Sequence, residues 1–66
     1  MQMIPVSSSA IAEIGYDPGS RQLDIEFHET GVYSYYNVPP HIYEGIMNAS
    51  SKGQYFNEYI RDQYGD

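Results

Sequence analysis

The chain has no cysteine and no tryptophan, and its 66 residues carry only three basic side chains against nine acidic ones. Without thiols there are no disulfides, no thiolate nucleophile and none of the usual structural zinc sites, so a reducing, cytoplasmic setting is the expectation. The formal net charge of −6 sets up a field that repels phosphate backbones and anionic lipid. Nonspecific nucleic-acid binding is thereby disfavoured. No apolar run approaches the ~20 residues of a membrane span, and the segment from Met1 to Ser9 lacks the basic and apolar regions of a signal peptide. A soluble protein with no membrane partner is expected.

What is present is ordinary globular material, 41% hydrophobic and 18% charged, which sets the chain apart from disordered segments. It is read as one domain spanning residues 1–66. A domain this small buries only roughly 60% of its unfolded surface and has little spare stability for a deep catalytic cleft. Tyrosine is abundant, with eight copies, two of them at strand spacing in Tyr33-Ser34-Tyr35 just before Val38-Pro39. Such a pair is either a core element with a wet rim or a stacking platform for a ligand.

Periodicity gives the architecture. After an extended lead around Ile4-Pro5-Val6, Ser9 to Tyr16 reads as a strand with Ile14 and Tyr16 on one face and Ile11 and Glu13 on the other. Asp17-Pro18-Gly19-Ser20 is tight-turn chemistry, with Gly19 expected at positive φ. Arg21 to His28 alternates cleanly, Leu23, Ile25 and Phe27 against Gln22, Asp24, Glu26 and His28. Glu29-Thr30-Gly31 predicts a three-residue hairpin loop with the glycine left-handed, which sets Phe27 opposite Tyr33 and Ile25 opposite Tyr35. Glu13 then falls opposite Asp24.

Val38-Pro39-Pro40 ends the sheet and starts a helix carrying Ile42, Tyr43, Ile46 and Met47 on one side and His41, Glu44 and Asn48 on the other. Ser51 with Gln54 is a capping-box pattern that opens a second helix bearing Tyr55, Phe56, Tyr59 and Ile60. The expected fold class is α+β: a three-stranded antiparallel meander followed by two helices packed on the face with Leu23, Ile25, Phe27, Tyr33 and Tyr35.

Several of these segments together resemble a known family. Val6-Ser7-Ser8, Ile14-Gly15-Tyr16-Asp17, the Leu23-x-Ile25-x-Phe27 strand, Gly31-x-Tyr33-x-Tyr35, Val38-Pro39, and Ala49-Ser50-Ser51-Lys52-Gly53-x-Tyr55-Phe56-Asn57 with Ile60 are similar to the KTSC domain. That family takes its name from the C-terminus of some lysyl-tRNA synthetases and includes small bacterial proteins that stand alone. The resemblance covers nearly the whole chain and implies a stand-alone member. Through the synthetase association it implies RNA binding, which would fall on Tyr33, Tyr35 and Ser51-Lys52-Gly53.

The residues themselves nominate other positions. Ser50, Ser51, Lys52 and Gly53 gather hydroxyls, a cation and bare backbone at a helix start, where free N–H groups favour an anion. A capped helix whose Gly53 permits close packing is the plainer reading of the same residues. Tyr36 projects with Val32 and His28 from the uncovered face, and Arg61 is expected to pair with Glu58. Tyr33, Tyr35, Val38 and Pro39 are read as structural. His28 and His41 show no spacing of a triad or metal pair, so no catalytic residue, cofactor or metal is implied and the protein is expected not to be an enzyme. Two functions follow: a noncatalytic module binding RNA or a phosphorylated nucleotide, or an acidic protein-interaction or homo-oligomerisation module, nucleic-acid mimicry included. Clustering of Glu13, Asp24, Glu26 and Glu44 on one surface would support mimicry.

Overall fold

The structure is a computed structural model and describes residues 2–64. Its strands are β1 (Met3–Pro5), β2 (Ile11–Asp17), β3 (Gln22–Phe27) and β4 (Gly31–Tyr35), and its helices α1 (Pro40–Asn48) and α2 (Lys52–Tyr59). The sheet is antiparallel throughout, with its four strands in chain order. It therefore has one strand more than expected: the lead around Ile4-Pro5-Val6 pairs with β2, Ile4 facing Ile14. Three residues with a proline among them carry little strand signal of their own. The pairing that makes them a strand is tertiary.

Within β2 the register slips between Ile11 and Glu13, so that Ile11 faces Phe27 while Glu13 faces Glu26. This bulge inserts one residue and reverses the alternation on one side of it. Ile11 and Ile14, expected on opposite faces, are consequently both fully buried on the covered face. The same slip corrects the partner of Glu13, which is Glu26; Asp24 faces Gly15.

In the first hairpin, Asp17 accepts the Gly19 N–H at 2.9 Å through its side chain and the Arg21 N–H at 2.7 Å through its carbonyl. The positive φ falls on Arg21, at 60°, and not on Gly19. In the second hairpin Gly31 takes φ 95° as expected, but it stands in the ladder opposite Phe27. Tyr33 therefore faces Ile25, and Tyr35 faces Leu23, two residues from the expected register. A slip of two leaves every side chain on its face, because strand side chains alternate with period two.

The helices cover β2 and β3. Ile11, Ile14, Leu23 and Ile25 meet Val38, Ile42, Ile46, Phe56 and Ile60 in one core. Pro39 caps α1 with extended backbone and Pro40 opens it, where a missing N–H costs nothing. Val38 is buried with both backbone groups used: its N–H donates to the Arg21 carbonyl at 3.0 Å, and its carbonyl accepts the Tyr16 hydroxyl at 2.6 Å. The Tyr16 ring stacks on Tyr43 with centroids 4.8 Å apart.

Gly45 has a positional reason, since a Cβ there would overlap the hydroxyl and ring of Tyr55. A helix interior glycine costs about 1 kcal/mol against alanine, and here it lets α2 approach α1. Burial, then the neighbouring Tyr59 and Tyr64, raise the Tyr55 hydroxyl above its ordinary pKa of 10.0. Among the described residues no helix is long and apolar enough to cross a membrane.

Candidate functional site

The β1–β2 turn and the α1–α2 turn meet at one end of the molecule. Ser7, Ser8 and Ser9 from the first and Ser50, Ser51, Lys52 and Gly53 from the second line a polar cleft of about 380 Å³. Ser8 organises its side of it: the hydroxyl accepts from the Ala10 and Ile11 N–H groups at 3.2 Å each, and its carbonyl accepts the His28 Nε2–H at 3.0 Å. Ser51 organises the other, accepting the Gln54 N–H at 3.4 Å as the cap of α2. The hydroxyls of Ser7, Ser9 and Ser50 have no partner among the described residues.

The backbone N–H groups of Lys52 and Gly53, first in α2, likewise have no acceptor among the described residues. They are the orphan donors of a helix start, aligned with its dipole. Lys52 Nζ donates to the Ala49 carbonyl at 3.0 Å, closing the end of α1, and an ammonium keeps two further donors. A Cβ on Gly53 would meet only the Ala10 methyl at 3.6 Å, an ordinary contact. Close packing therefore does not account for this glycine.

Ser7, Ser8 and Ser9 are the residues of this cleft that sequence reasoning missed as a site. Their only signal was the Val6-Ser7-Ser8 run. Placing them beside Ser50 requires the β1–β2 pairing, which is not local.

A second, shallower depression of about 340 Å³ is lined by Phe27, Thr30, Tyr33, Tyr35, Phe56 and Arg61. Phe56 is its floor, in edge contact with Phe27 at 5.1 Å and Tyr35 at 5.5 Å. Tyr35 is half-buried, with its ring on that of Phe56. Tyr33 touches the ring of Phe27 at 5.8 Å yet remains 46% exposed on β4, at the edge of the sheet. Its assignment to the core holds for its face and not for its burial. Glu58 accepts from Gln54 Nε2 at 3.4 Å and forms no ion pair with Arg61, which lies on the rim of this depression.

The face of the sheet opposite the helices bears Glu13, Asp24, Glu26, Gln22, Ser34 and Val32 by register, with Tyr36 exposed beyond β4. Glu13 and Glu26 stand directly across from each other. The hydrogen bond between their carboxyls, with partial burial and the Glu26 charge behind it, raises Glu13 above its ordinary pKa of 4.5. Glu44, exposed on α1, belongs to the helical layer and does not join this acidic group. No cluster of three or more acidic or histidine side chains suited to a metal occurs among the described residues.

The chain matches the family model described as the KTSC domain over residues 7–64. It is 46% identical to a KTSC domain protein from Yersinia pestis of known crystal structure, with a TM-score of 0.94 over 96% of this chain and 89% of that one. A small protein of Stutzerimonas stutzeri is 33% identical over 97% of this chain and 90% of its own length. A lysine–tRNA ligase of Nostoc punctiforme is 37% identical over 94% of this chain, which spans 11% of the ligase. With sequence segments, four-stranded architecture and both helices in agreement, the chain belongs to the KTSC domain family.

Proposed function

We propose that this domain is a noncatalytic cytoplasmic module that binds a phosphate-bearing ligand, RNA or a phosphorylated nucleotide, in the cleft between its two serine turns. The observation that carries the reading is the convergence there of unpartnered hydroxyls, two free helix N–H groups and an ammonium, around a glycine that packing does not require. Each element suits an anion, and together they offer donors from several directions. Kinship with domains carried by lysine–tRNA ligases supports RNA as the bearer of that phosphate. The acidic remainder of the surface opposes nonspecific backbone tracking, so the reading is of one local contact, such as a strand end or a mononucleotide.

The test is an amide-resolved NMR titration with inorganic phosphate, nucleoside monophosphates and short single-stranded RNA at low ionic strength. Saturable shifts centred on Lys52 and Gly53 that weaken with salt are expected. Gly53→Ala should keep or slightly raise stability, by up to about 1 kcal/mol from helix propensity, while crowding the cleft and weakening binding. Absence of any saturable response to all three probes would remove the reading.

A further inference from the structure

The two edges of the sheet are treated differently by the sequence. β1 is three residues long and contains Pro5. Short length and proline are standard protections against unwanted pairing. β4 has neither. It runs five residues from Gly31 to Tyr35, pairs with β3 in unbroken register, contains no charged residue and no proline, and leaves Val32 56% and Tyr33 46% exposed. An edge of this kind is a template for another strand.

We propose that β4 is a docking edge for an extended segment of another protein, one that alternates apolar and basic residues. The surroundings of β4 set that pattern. An added strand presents every second side chain to the helix side, beside the aromatic depression of Phe27, Tyr33, Tyr35 and Phe56. Bulky apolar residues fit there. The intervening side chains fall on the open face beyond Val32 and Ser34, whose partners on β3 are Glu26 and Asp24. Two strand spacings, about 10 Å, separate the new strand from that acidic row, within reach of a long lysine or arginine side chain.

Charge selects a foreign strand over a second copy of this chain. A second β4 would bring Val32 and Ser34 to the acidic side and no cation, and each molecule carries a net charge of −6. The proposal is independent of the serine cleft, which β4 does not line.

The probe is a blocked synthetic peptide of about seven residues alternating lysine and valine, enough to cover ~17 Å of strand. Its controls are the same residues in block order and an alternating glutamate–valine peptide. Titration should shift the amides of Gly31 to Tyr35 and slow their hydrogen exchange, with affinity falling as salt rises and neither control binding comparably. Val32→Lys, an exposed substitution that installs the missing guard, should weaken binding about tenfold or more. Glu26→Gln should flatten the salt dependence and serves as the second variant should Val32→Lys impair folding. Equal binding of the block-order peptide, or shifts without edge protection from exchange, would overturn the proposal. So would self-association at β4 that Val32→Lys abolishes, since the occupant would then be a second copy. Shifts at Lys52 and Gly53 report separately on the phosphate reading.

Discussion

The two faces of the sheet are built from the same strands and follow opposite rules. On the covered face Ile11, Ile14, Leu23 and Ile25 retain no exposed surface and lock against Ile42, Ile46, Phe56 and Ile60. On the open face the intervening positions hold Glu13, Asp24 and Glu26, with two carboxylates set directly across one ladder rung. Burial contributes roughly 25 cal/mol for each Å² of apolar surface removed from water, whereas a screened surface charge pair is worth less than about 1 kcal/mol of either sign. Stability is therefore concentrated on one face, and the other is left free to carry unfavourable neighbours. In so small a domain, surface kept from packing is surface available for recognition.

The comparison is broken most forcefully by emptying the covered face. Ile25→Ala removes a fully buried side chain from the centre of the sheet and should cost about 2–5 kcal/mol. A domain of this length has roughly 3–10 kcal/mol in total, so the urea midpoint of the variant should fall by a large share of the parent's. A loss below about 1 kcal/mol would mean that the core is not organised around β3.

Gly45→Ala should have the next largest effect, with a sign opposite to propensity. Alanine in a helix interior ordinarily gains about 1 kcal/mol over glycine. Here the new methyl meets the Tyr55 ring and hydroxyl, and overpacking of this kind costs about 1–3 kcal/mol. Combining it with Tyr55→Phe should recover part of the loss, because only the hydroxyl is removed. A stabilised single variant would show that α1 and α2 separate readily.

Which parts of this arrangement could be read in advance depended on how local their causes are. Alternation in Leu23-x-Ile25-x-Phe27 and the stripe of Ile42 and Ile46 report their own faces, and the Ser51 cap reports the start of α2. The pairing of β1 and the bulge in β2 left no such mark. The first needs a partner from another segment. The second depends on one inserted residue that the pattern Ile11-Ala12-Glu13-Ile14 does not announce. The Tyr33 register was misplaced by two with its face correct, since the hairpin loop lies one step earlier than Glu29-Thr30-Gly31 implies. Half of the serine cleft was legible because Ser50 to Gly53 are contiguous; the other half arrives by way of β1.

The smallest effect, and the one that sharpens the contrast most, lies on the open face. Glu13 is hydrogen-bonded to Glu26, and its carboxyl is held above the usual 4.5. A carboxyl with a raised folded-state pKa favours folding in its protonated form, so its contribution to stability falls as pH rises from 4.5 through that higher value. Above it both states are ionised and a constant penalty remains. Glu13→Gln removes the penalty. The variant should melt at a higher temperature than the parent at pH 7, and the gap should close on acidification below about pH 4.5, where Glu13 is protonated in folded and unfolded chains alike. Added salt at pH 7 should narrow the gap by screening the Glu26 charge. Identical melting temperatures at pH 7 would mean that solvent already screens the pair. A gap that widens with acid would place the interaction with some group other than Glu26. Confirmation would establish that this face keeps an unfavourable carboxylate pair at neutral pH, whose β3 member, Glu26, is the one that a cation from a docked basic strand could reach.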